Sequence, residues 1–193
     1  MNTTIKLIPI FLYMLIGFMA CKPDREFDTP TAQNPIGGAD NILPGTIRIN
    51  EFVTTGSAFG SDLDSATTSD WMELYNTTAD TIFLGDGKWS VTDSLEWTDK
   101  WVLPDTFILP QSHLLIWCDD RDTVTTQLHA SFKLSSGGED LGLYYKKSDS
   151  EIIKVDGFSY MAQSSGVCQQ RYPDGTNNWV FSSNTTPGYI NLP

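Results

Sequence analysis

Positive charge is scarce in this chain: Lys and Arg total 12 against 24 Asp and Glu, a formal net charge of −12 at pH 7. A field of that sign keeps a protein soluble but repels phosphate backbones and anionic lipid heads, so no nucleic-acid partner is expected. Histidine is scarcer. His113 and His129 are the only two, and neither lies near a GxSxG-type nucleophile or in a His-x-x-His pair. A glycine-rich phosphate loop is also missing, because residues 135–138 lack the Lys and Ser/Thr that phosphate cradling requires. A carboxylate pair for glycoside hydrolysis has no positive signal, so the chain does not read as an enzyme. Three cysteines without a CxxC spacing argue against a thiolate metal site. No stretch keeps a helical period over three turns, and no second hydrophobic run approaches membrane-spanning length.

What is present begins with an export signal over residues 1–20. Lys6 is its positive n-region and residues 7–17 (LIPIFLYMLIG) its apolar core, which is short for a bilayer span. The run ends in Phe18, Met19, Ala20 and Cys21. A small residue before a cysteine resembles the lipobox at which bacterial lipoprotein precursors are diacylated and cleaved. Phe18 and Met19 depart from its commoner Leu and Ser/Ala. The resemblance implies lipidation of Cys21 and membrane attachment through that lipid; the alternative is ordinary cleavage after Ala20. Several acyl chains on one residue anchor a protein without any further apolar segment. Residues 21–45 are rich in Pro, Gly, Asp, Asn and Thr and read as a flexible tether. Asp24, Glu26 and Asp28 in it are similar to the acidic residues that direct some Gram-negative lipoproteins to the cell surface. The expected location is the outer membrane of a Gram-negative bacterium, facing periplasm or exterior.

Residues 46–193 have the length of one ordinary domain. With Cys21 assigned to the anchor, Cys118 and Cys168 form an even pair. In an oxidising compartment that pair is expected to form a disulfide, stabilising by roughly 4 kcal/mol; the alternative is two buried thiols. Short β-type segments separated by turn residues fill the domain. In residues 46–53 (TIRINEFV), Ile47 and Ile49 share one face, with Arg48 and Asn50 on the other. In residues 70–76 (DWMELYN), Trp71, Glu73 and Tyr75 oppose Met72 and Leu74. Further strands are expected over 81–84, 88–92, 107–109, 114–118, 131–134, 141–146, 152–158 and 167–172. Turns are supplied by residues 85–87, 135–138 and 173–175. Many short strands at this spacing imply an all-β, two-sheet sandwich.

Eight segments, in order, carry a family resemblance. They are INEF at 49–52, DWMELYN at 70–76, WSVTD at 89–93, ILP at 108–110 leading into HLLIW at 113–117, FKLS at 132–135, GEDLGL at 138–143, RYPDG at 171–175 and TPG at 186–188. Together they resemble the lamin tail domain, an immunoglobulin-like β-sandwich found in nuclear lamins and in many exported bacterial proteins. That resemblance implies a module that supports interactions and often accompanies secreted hydrolases. Residues 56–69, the segment around Trp101 and the cysteine pair depart from the pattern. Glu51 and Glu73 are read as structural carboxylates accepting backbone or indole N–H bonds. Trp71, Trp89, Trp117 and Phe132 are read as core.

Two acidic groups remain: Asp62, Asp64 and Asp70 in the first loop, and Asp119, Asp120 and Asp122 after the LLIWC strand. Aspartate-rich loops suit calcium, although no EF-hand spacing is present, and a solvated acidic loop is the alternative. Trp97 and Trp101 lie in a polar stretch between strands, where tryptophan serves partner contacts or sugar stacking unless it caps one end of the sandwich. The function expected is a non-catalytic binding or scaffold module presenting loops to a protein or glycan. The alternatives are a calcium-dependent glycan-binding lipoprotein and, third, a cryptic hydrolase.

Overall fold

The computed structural model describes residues 42–54 and 69–193. These are built of strands and turns without a helix. The first strand, β1 (Ile47–Val53), pairs antiparallel with β2 (Asp70–Asn76), and β2 pairs with β7 (His113–Cys118). On its other edge β1 pairs with β12 (Cys168–Arg171), which pairs with β13 (Trp179–Ser182). Beyond β7 lie β9 (Leu128–Ala130), parallel to it, and β8 (Thr123–Val124), completing a seven-stranded sheet ordered β13-β12-β1-β2-β7-β9-β8. A second sheet runs β11 (Glu151–Met161), β10 (Gly138–Ser148), β4 (Trp89–Thr92), β5 (Trp101–Val102), and a small ladder joins β3 (Ile82–Phe83) to β6 (Phe107–Ile108).

Alternation of side chains explains how these sheets share a core. Ile47, Ile49, Met72, Leu74, Ile116 and Cys118 project from the large sheet into one cluster. Trp89, Val91, Leu141, Leu143, Tyr145 and Val155 reach it from the smaller sheet, and Ile82 and Ile108 from the ladder. The arrangement is an all-β, sandwich-like fold. Phe52 lies at one end of this core, its ring centroid 4.7 Å from that of Tyr160 and 5.9 Å from that of Phe158. Trp71, Trp89, Trp117 and Phe132 are all buried, as their sequence context led us to expect.

Some boundaries move. Ile42 is buried in the core, and the Gly45 N–H donates to the Val155 carbonyl at 2.7 Å, so the folded part begins before residue 46. Residues 131–134 form no strand; the extended segment is instead β9, just before them, and Lys133 makes only an isolated bridge to Asp119.

The expected Cys118–Cys168 disulfide is not formed: both are free, buried thiols. Cys118 sits on β7 and Cys168 on β12, with β1 and β2 between them. Three strand spacings amount to about 14 Å, twice the reach of about 7 Å between bridged Cα atoms. They also face opposite ways, Cys118 into the inter-sheet core and Cys168 into a smaller cluster with Val53, Trp71 and Trp117 on the outer face.

Candidate functional site

A β-bulge shapes the outer face of the large sheet. Along β1 the register against β2 slips between Ile49 and Glu51, so that Asn50 and Glu51 together oppose Glu73. The bulge returns Phe52 to the core while leaving Glu51 and Glu73 on the outer face, directly opposite each other. Both are fully buried. What covers them is the C-terminal segment. The Thr186 N–H donates to both Glu51 oxygens at 3.1 and 3.2 Å, and the Thr186 hydroxyl donates to Oε2 at 3.0 Å. Gly188, at a φ of 82° that favours glycine, donates its N–H to Glu73 Oε2. Glu73 Oε1 has no hydrogen-bond partner among the described residues and lies 3.9 Å from His113 Nε2.

The turn at Pro173, Asp174 and Gly175 closes the cluster. Asn50 Nδ2 donates to Asp174 Oδ1 at 3.1 Å, and its Oδ1 accepts the Gly175 N–H at 2.9 Å. Asp174 also accepts from the Asn191 N–H at 3.1 Å and lies 3.2 Å from His113 Nε2. Burial pushes both glutamates up. Glu73 reaches about 9, with the Gly188 N–H opposing burial and the neighbouring Glu51 reinforcing it. Glu51 is raised by its burial, with hydrogen bonds from Cys168 and Thr186 acting against it. Burial also pushes Asp174 up, but hydrogen bonds from His113, Asn50 and Asn191 outweigh it and hold the carboxyl below its usual range. Glutamate at neutral pH is normally charged; Glu73 here is a neutral acid.

A second cluster forms where three loops meet. The Trp101 indole donates to Asp122 Oδ1 at 2.9 Å, the Ser131 hydroxyl donates to the Lys100 carbonyl at 3.4 Å, and the backbones of Asp119 and Lys133 form an isolated β-bridge. Trp97 stands at this end, 56% exposed. Lys100 Nζ lies 5.5 Å from its ring centroid and is fixed by Asp93 at 2.5 and 2.7 Å. Trp101 differs. It is 4% exposed and packed in the core, because it pairs with the inward-facing Val91. The Trp101, Leu103 alternation around exposed Val102 was the sequence signal for this. Trp101 is therefore a core residue, not a contact surface.

Two aspartates of this end, Asp119 and Asp122, are engaged within the fold. Asp119 Oδ2 accepts from Arg121 Nε at 2.5 Å and lies 3.0 Å from His129 Nδ1. Asp122 holds the Trp101 indole, and Asp120 occupies a left-handed turn position at φ 65°. Among the described residues no three His, Cys, Asp or Glu side chains come together as a metal-holding group. Asp62, Asp64 and Cys21 lie outside the described residues. Both histidines have partners, and both side chains are buried. A cleft of about 300 Å³ beside β7, floored by Leu114, Leu115 and Trp117 and walled by Thr106, Gln127 and Leu128, is lined by residues without ionisable side chains.

Sequence reasoning gave Glu51 and Glu73 their role as backbone acceptors but missed that they face each other and that His113, Asp174 and Asn191 join them. The signal was there in RYPDG and TPG, whose polar residues had no assigned partners. Compared with known proteins, the chain matches no family model and no curated protein.

Proposed function

We propose that this chain is a lipid-anchored, non-catalytic binding module of the bacterial outer membrane, with an immunoglobulin-like fold of the lamin tail type. Cys21 carries the lipid, the following polar segment stands the domain off the bilayer, and the loop end bearing Trp97 meets a protein or glycan partner. The observation that carries this reading is Trp97, a large aromatic ring left 56% exposed on a loop braced by the Lys100–Asp93 ion pair. An exposed, pre-positioned indole binds at low entropic cost, by hot-spot packing or by stacking on a sugar face. The lamin-tail reading is supported by where its motifs fall. INEF, DWMELYN, RYPDG and TPG, far apart in sequence, supply Asn50, Glu51, Glu73, Asp174, Thr186 and Gly188 to one buried cluster.

The test is a glycan and envelope-protein binding screen with the full chain, repeated with Trp97→Ala. The expected result is a ligand whose affinity drops at least tenfold in the variant, with an unchanged melting temperature. A ligand bound equally by Trp97→Ala would remove this loop end from the account.

A further inference from the structure

Residues 183–193 contribute no strand to either sheet, yet they lie across the outer face of the large one, held chiefly by side chains. Glu51 on β1 and Glu73 on β2 accept from Thr186 and Gly188. Gln170 on β12 donates to the Leu192 carbonyl, and Asn191 Nδ2 donates to the carbonyls of Asn50 at 3.3 Å and Arg171 at 2.8 Å. The two carboxyls beneath this segment are cross-strand partners, and neither residue has exposed surface. Directly opposed side chains on neighbouring strands have Cβ atoms about 5 Å apart, and two like charges so close in a buried site do not both persist.

The surroundings supply little to neutralise a second charge. His113 on β7 approaches Glu73 but is engaged with Asp174, whose own carboxyl adds negative charge. On the β12 side Cys168 is a thiol pushed upward by burial and by Glu51. The covering segment, SNTTPGYINLP, brings no cationic side chain, and its one ionisable side chain, Tyr189, is 73% exposed. Arg171 and Asp156 pair with each other at 3.0 Å.

We propose that residues 183–193 form a proton-linked clasp, docked while Glu73, opposite Glu51, keeps its proton and released when that proton leaves. Docked, Glu73 holds its proton up to about pH 9. Released into water, a glutamate returns to about 4.3. Between those limits the docked state binds one proton more than the released state, so the docking constant falls about tenfold for each pH unit. Opening uncovers Glu51, Glu73 and Gln170 on the sheet face, converting a sealed surface into an acidic one. The clasp is independent of the role given to Trp97.

Hydrogen–deuterium exchange of the full chain between pH 6 and 9 tests it. After correction for intrinsic exchange rates, protection of the Thr186 and Gly188 amides should fall about tenfold per pH unit while staying below that of core amides such as Met72. Glu73→Gln, which carries a neutral amide in place of the acid, should keep both amides protected and abolish the slope. The wild-type slope needs no variant: flat protection at Thr186 and Gly188 across this range would overturn the clasp. So would protection that follows Met72 throughout, or an equal slope in Glu73→Gln.

Discussion

Glu73 shows how far one side chain can be moved by its setting. A glutamate ordinarily loses its proton near 4.3, but burial opposite Glu51 raises this one to about 9. The folded state therefore binds more protons than the unfolded state between those values, and stability falls as pH rises through that window. The group's stabilising share is complete below about 4.3 and gone above about 9. Glu73→Gln is expected to raise stability at pH 7.5 by roughly 1–3 kcal/mol, with little effect at pH 4.5, measured by urea denaturation at both values. A variant less stable than wild type at both would show that the site needs an ionised acid. The carboxylates were legible in the sequence as buried acceptors, since each sits among apolar strand residues. Their pairing was not, because it depends on a register that no local pattern encodes.

At the level of elements, the bulge in β1 decides what faces where. Period-2 alternation put Ile47 and Ile49 on one face of β1 and Met72 and Leu74 on one face of β2 without saying which faces meet; in the structure both pairs point into the main core. Alternation alone would also put Glu51 inward, in line with Ile49; the extra residue at Asn50 turns it outward and brings Phe52 into the core. Asn50 then ties the bulge to the 173–175 turn through Asp174 and Gly175. Replacing it with alanine leaves the Gly175 N–H and an Asp174 oxygen short of a partner, and the expected cost is about 2 kcal/mol. Equilibrium unfolding of Asn50→Ala measures it. Strands β5, β8, β9 and β13 were not anticipated, being two to four residues long, too short for a periodic signal. The long strands were legible because seven or more alternating residues leave only one face to bury.

Across the whole molecule, the cysteines show where reasoning by count fails. Even pairing and an oxidising compartment favoured a bridge between Cys118 and Cys168, but topology places them two intervening strands apart on opposite faces. The melting temperature is therefore expected to be the same with and without dithiothreitol, and both thiols should alkylate only after denaturation. A bridged pair would instead lose about 4 kcal/mol on reduction. The all-β sandwich character was readable from strand spacing and turn residues, and the Trp97 loop from its polar neighbours. For Trp101 the sequence left partner contact and capping of the sandwich open, because a two-residue strand hid its alternation.

The claim on which the functional account turns is the lipid on Cys21, since it makes the domain a tethered, membrane-borne module. Mass spectrometry of the N-terminal peptide, from the full chain expressed in a Gram-negative host, tests it most directly. The account predicts a mature chain beginning at Cys21 and carrying acyl chains, with Cys21→Ser released from the membrane fraction. An unmodified Cys21 thiol on a protein found in the soluble fraction would contradict it.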